Sequence, residues 1–104
     1  MKVIIDEHVH QTILEFYAIS MRLHITLDEA TVMAKVERLI GAMYGLGTFY
    51  YIYPEARFKK SWKEAGYREM IVEDFHIAFR IETDEDGEQY VAVHDAIHSL
   101  LYHD

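Results

Sequence analysis

Seven histidines, a cluster of cations and no cysteine define the chemistry open to this chain of 104 residues. Histidine titrates near neutral pH and is the side chain best suited to moving a proton between oxygen atoms. His76, His94 and His98 stand in the last third of the chain, where polar and apolar residues alternate. Arg57, Lys59, Lys60, Lys63 and Arg68 make up half of the ten basic residues and fall within twelve positions, interleaved with Phe58, Trp62 and Tyr67. Such a strip suits a phosphate-bearing ligand and equally suits a solvated loop, and composition does not separate the two. Without cysteine there is no thiolate metal ligand, thiol nucleophile or disulfide. His8 and His10 would share a face on a strand, but they stand where a helix begins and their spacing diverges there, so no metal site is expected. No phosphate-cradling glycine loop, HExxH or GxSxG string is present.

The net charge of −8 argues against diffuse binding to nucleic acid. Its distribution is uneven. Residues 1–56 carry four basic and seven acidic side chains, residues 57–68 carry five basic and one acidic, and residues 69–104 carry ten acids against Arg80 alone. The cationic strip is therefore local, on a chain that otherwise repels phosphate. A hydrophobic content of 51% suffices for a core in one domain spanning 1–104. The apolar opening of the chain is too short for a signal-peptide core, and no run approaches the roughly 18 residues of a membrane span, so a cytoplasmic protein with no membrane partner is expected.

These side chains must be positioned by elements readable from periodicity. Lys2 to Ile5 reads as a β-branched strand. Val9, Ile13, Phe16, Tyr17, Ser20, Met21 and His24, widened by Leu14, Ala18 and Ile25, form the stripe of a half-buried helix. Thr26 and Glu29 have capping-box spacing, and a second helix through Met33, Val36, Ile40 and Met43 is predicted to end near Gly45 and Gly47. Residues 48–66 show no clear period. Tyr50, Tyr51 and Tyr53 before Pro54 suit either a core edge or a partner segment. Three strands follow: Tyr67 to Glu73, Phe75 to Glu82, and Gln89 to Ile97 after a turn at Asp84 to Gly87. Phe75, Ile77, Phe79 and Ile81 point to a core, as do Val91, Val93 and Ile97. His76, Arg80, Tyr90, Ala92, His94 and His98 fall on the other face. The predicted fold is α+β: an N-terminal strand, a two-helix hairpin, then three antiparallel strands in a sheet that the helices cover on one face.

This order, with Gly66-Tyr67-Arg68, Phe75-His76-Ile77-Ala78-Phe79, the acidic turn Asp84 to Gly87 and Ala96-Ile97-His98, resembles the RelE/ParE superfamily of toxins from bacterial type II toxin–antitoxin systems, the plasmid-stabilisation type. The resemblance runs over nearly the whole chain. It implies a toxin neutralised by an antitoxin from an adjacent gene, acting on ribosome-bound mRNA as a metal-independent endoribonuclease or on DNA gyrase, with no cofactor and with a homodimer left open. By the same resemblance Arg68 contacts phosphate and His76 or His98 transfers protons. Strand parity adds Arg80, as a second phosphate contact, and His94, so that Arg68, His76, Arg80, His94 and His98 are expected to converge. The charge pattern makes Arg57, Lys59, Lys60 and Lys63 candidates for phosphate or RNA binding. Met70, Leu100 and Leu101 stand where relatives place basic residues, and His76 replaces an arginine. That poverty of fixed positive charge supports an alternative, a toxin-fold module that binds or dimerises without catalysis.

Overall fold

The computed structural model describes residues 1–24 and 27–102. Its elements are β1 (Lys2–Ile5), α1 (Glu7–Leu23), α2 (Glu29–Phe49), a 3₁₀ turn (Tyr50–Ile52), α3 (Lys60–Glu64), β2 (Arg68–Val72), β3 (Phe75–Thr83) and β4 (Gln89–His98). The architecture is α+β, with one sheet of strand order β1-β4-β3-β2. β2, β3 and β4 are antiparallel, and β1 runs parallel to β4 at the far edge.

Both long helices begin at an aspartate. Asp6 Oδ1 accepts from the His8 amide at 2.9 Å, and Asp28 Oδ1 accepts from the Thr31 amide at 2.7 Å, each satisfying a donor that the first helical turn leaves open. The capping pattern expected at Thr26 and the stripe residue Ile25 lie outside the described residues. Val9, Ile13 and Tyr17 form the buried face of α1, as their spacing predicts.

α2 does not stop at its glycines. It continues through Gly45 and Gly47 to Phe49, and neither glycine takes a positive φ. At Gly47 the constraint is space, because a Cβ there would lie 2.2 Å from the Met1 carbonyl oxygen. The missing side chain lets the start of β1 lie against the helix, and the Met1 amino group donates to Gly47 O at 3.0 Å. The segment read as aperiodic contains α3, whose five residues are too few to display a helical period.

α1 and α2 pack on one face of the sheet, over Met70, Phe75, Ile77, Phe79, Val91 and Val93. The opposite face, called the outer face below, carries a smaller apolar cluster in which Trp62 of α3 and Ala56 cover Ala78. The β2–β3 connection turns on Glu73 and Asp74, both at positive φ (49° and 64°), the geometry a two-residue hairpin requires. From α2, Arg38 and Lys35 both reach the Glu73 carboxylate. The Arg38 hydrogen bond holds that carboxyl below its ordinary range.

One irregularity decides where the histidines go. Phe79 pairs with Val93 but Ala78 pairs with Asp95, so β4 carries one extra residue, His94, opposite an unbroken β3. Beyond this bulge the alternation of β4 is inverted. Ala96 faces the helices, Ile97 turns to the outer face, and His98 pairs with Phe75 on the helix side. The expected directions of Ile97 and His98 are both reversed, because strict period-two reasoning cannot see an inserted residue. Among the described residues, no helix is long and apolar enough to cross a membrane.

Candidate functional site

The five residues expected to converge are divided between the two faces of the sheet. His76, Arg80 and His94 lie on the outer face. Arg68 pairs with Phe79 and leaves β2 on the helix side, where its guanidinium donates to Tyr53 O at 2.7 Å. His98 stacks on Phe16 of α1 (3.9 Å between ring centres, 14° between planes) and meets the edge of Phe75. The cluster of Arg68, His76, Arg80, His94 and His98 is therefore not assembled as one site.

His98 has the surroundings of a packing residue. Burial of its ring lowers the histidine below its ordinary value, so the neutral form is favoured in the fold. Between the depressed folded value and the ordinary one near 6.5, the unfolded chain holds a proton that the folded chain does not. Stability from this group is thus complete above about pH 6.5 and declines as pH falls below it. Urea unfolding at about pH 7.5 and about pH 5.5 should show this loss in the wild type and a smaller one in His98→Phe, which keeps an aromatic ring there.

On the outer face two polar networks flank Trp62. The first centres on Glu82, which receives Arg80 Nε at 2.9 Å and Tyr90 OH at 3.4 Å and also meets His94 Nε2. Burial acts to raise the Glu82 carboxyl, but its bonds to Arg80 and His94 outweigh that and hold it below the usual carboxylate range. Arg80 also donates to Ala65 O at 3.1 Å and lies over the Tyr67 ring. Its charge is committed to this network.

The second network centres on His76. Nδ1 is 2.9 Å from Glu69 Oε2, and Nε2 is 3.1 Å from Ser99 Oγ. Tyr102 stacks flat on the imidazole (3.8 Å, 2°) and donates its hydroxyl to Glu69 Oε1 at 2.8 Å. Between the two networks, Trp62 Nε1 donates to Asp95 Oδ2 at 3.1 Å, and His8 Nε2 meets Asp95 Oδ1 at 2.9 Å. His10 shares the first turn of α1 with His8, and no group of three or more His, Asp or Glu that could hold a metal exists among the described residues.

The cationic strip lies beside the His76 network. Arg57 and Phe58 line a shallow hollow of about 360 Å³ together with Glu69 and Ile71, and Ile71 is the direct cross-strand partner of His76. Arg57 is exposed and makes no ion pair among the described residues. A second hollow next to it is lined by Arg57, Lys63 and Tyr67. Lys59 occupies the position just before α3, and Lys60 lies 4.0 Å from Glu64. Compared with known proteins, the chain matches no family model, no curated sequence and no solved structure at a significant level.

Glu69, Ser99 and Tyr102 are absent from the sequence reading. Glu69 was recoverable in principle, since a two-residue turn at Glu73-Asp74 places it diagonally across from His76 on one face. The strand run assigned through Glu73 concealed that register. Ser99 and Tyr102 follow the last strand, where no periodicity carries information.

Proposed function

We propose that this chain is the toxin of a bacterial type II toxin–antitoxin module of the RelE/ParE kind, cleaving messenger RNA in the ribosome without a metal. The observation that carries this reading is that, on the sheet face away from the long helices, Glu69 and Ile71 border both His76 and the hollow lined by Arg57 and Phe58. The order of a strand, two helices and three antiparallel strands supports it. A protein partner encoded beside it, the antitoxin, belongs to the same reading.

In this mechanism His76 Nε2 takes the proton of a ribose 2′-hydroxyl as the O2′–P bond forms. Arg57, with Lys63 nearby, offsets the charge that builds on the phosphate, and an exposed aromatic such as Phe58 offers a surface for a base. As the P–O5′ bond breaks, the imidazolium returns the proton to O5′, leaving a cyclic phosphate and a 5′-hydroxyl. Arg80 and His98, engaged elsewhere, take no part.

A second reading, binding without catalysis, has a specific observation in its favour: Arg68 and His98 stand on the helix side and Arg80 is bound to Glu82. Gyrase inhibition would be one form of it. Induced expression decides between them. The nuclease reading expects growth arrest with new 5′-hydroxyl ends in messenger RNA, relieved by co-expression of the neighbouring frame. Arrest without cleavage favours the binding reading, and neither arrest nor cleavage overturns the active toxin.

A further inference from the structure

We infer that Glu69 is a positioning residue that fixes His76 as the Nδ1–H tautomer and so makes Nε2 its proton-exchanging atom; the functional part of this inference rests on the RNA-cleaving reading above. Both oxygens of Glu69 are already engaged, Oε2 by His76 Nδ1 at 2.9 Å and Oε1 by the Tyr102 hydroxyl at 2.8 Å. Glu69 is therefore poorly placed to act as a base on substrate. What it does is orient. An ionised carboxylate only accepts hydrogen bonds, so the ring nitrogen facing it must carry hydrogen, and in the neutral ring the lone pair is then left on Nε2. The side chains of His76 and Glu69 are only 13% and 10% exposed, so water competes weakly for this bond. Tyr102 adds the second constraint. Its ring lies parallel to the imidazole at 3.8 Å and is itself 5.7 Å from Trp62, so tilting of the His76 ring out of this plane is opposed.

Nε2 faces Ser99, whose hydroxyl has one proton and two acceptors in reach, Nε2 at 3.1 Å and Asp74 O at 2.8 Å. A substrate hydroxyl can take the place of Ser99 at Nε2 while Ser99 keeps its bond to Asp74. The order Ser99, His76, Glu69 also has the connectivity of a serine nucleophile with its base and orienting carboxylate. Nearby backbone donors argue against that use. The Ser99 amide is bound to Asp74 O, the Leu100 amide to His98 Nδ1 and the Leu101 amide to His98 O, which leaves none of the three to stabilise an oxyanion.

The test is the ¹⁵N spectrum of the His76 ring in alkaline buffer, read beside message cleavage in a translating lysate. The wild type should show a protonated Nδ1 and a bare Nε2. Glu69→Gln, whose amide can donate to Nδ1, should move hydrogen to Nε2 and lower the cleavage rate about 100-fold with little change in KM. Glu69→Asp, which keeps an acceptor-only carboxylate, should restore the wild-type tautomer and most of the rate. A wild-type ring protonated at Nε2, or a tautomer unmoved in Glu69→Gln, overturns the inference. Should the tautomers behave as expected while the wild type cuts no message, the positioning by Glu69 stands and the RNA-cleaving reading falls.

Discussion

His76→Ala should, on the proposed RNA-cleaving reading, abolish message cleavage and growth arrest, with a loss of at least about 100-fold in rate, because it removes the imidazole whose neighbours Glu69 and Ile71 line the hollow that holds the cation Arg57. The companion result discriminates between the two faces. His98→Phe keeps the stack on Phe16 and should leave cleavage close to wild type, since that ring lies beneath α1 on the other side of the sheet. Cleavage can be followed by mapping new 5′ ends in a translating lysate and arrest by viable counts after induction. A His98→Phe variant as inactive as His76→Ala would return catalysis to the helix side and remove the outer face from the mechanism. Because the imidazole is largely buried against Tyr102 and partners Glu69, the alanine should also lower stability, so cleavage is compared at a temperature where urea titration shows the variant folded.

Trp62→Ala should cost about 3–5 kcal/mol of stability, the usual range for removing a buried large aromatic. The side chain is 2% exposed, covers Ala78 and Ala56, and donates Nε1 to Asp95. Its loss opens a cavity and leaves a carboxylate oxygen without that donor. A domain of this size holds roughly 5–15 kcal/mol in total, so the variant should lie near the edge of folding, with a Tm lower by on the order of 15 °C. Urea titration would measure it, with Leu100→Ala as the control, since Leu100 is 82% exposed and its truncation should change little. An unchanged midpoint for Trp62→Ala would mean that α3 does not clamp the outer face. The same substitution removes the backing of Tyr102, so His76 chemistry should weaken with it.

Much of this fold is legible in local pattern. The stripe Val9, Ile13, Tyr17 marks the buried face of α1, and the alternation Phe75, Ile77, Phe79 marks the inward side of β3. Both periodicities are properties of a single segment, so one chain segment suffices to display them. α3 has no local signature, because its five residues make little more than one turn and Trp62 stands among the charges of residues 57–68. Gly45 and Gly47 read as a helix end, yet Gly47 serves a close approach to Met1, a residue 46 positions away. Glycine signals conformational freedom and missing volume alike, and only the neighbour tells which is in use.

The candidate site divides in the same manner. His76 and Arg80 share a face through simple parity, which the amino-acid sequence determines alone. It also determines the concentration of half the basic residues in 57–68 and the acidity of the residues that follow. The company that His76 keeps was decided by the tertiary structure. A hairpin turn on Glu73 and Asp74 sets the register that brings Glu69 across to it, and the segment after β4 folds back to supply Ser99 and Tyr102. His98 was turned away by one inserted residue, His94. Pairing register and bulges belong to two strands at once, and no periodicity within either strand encodes them.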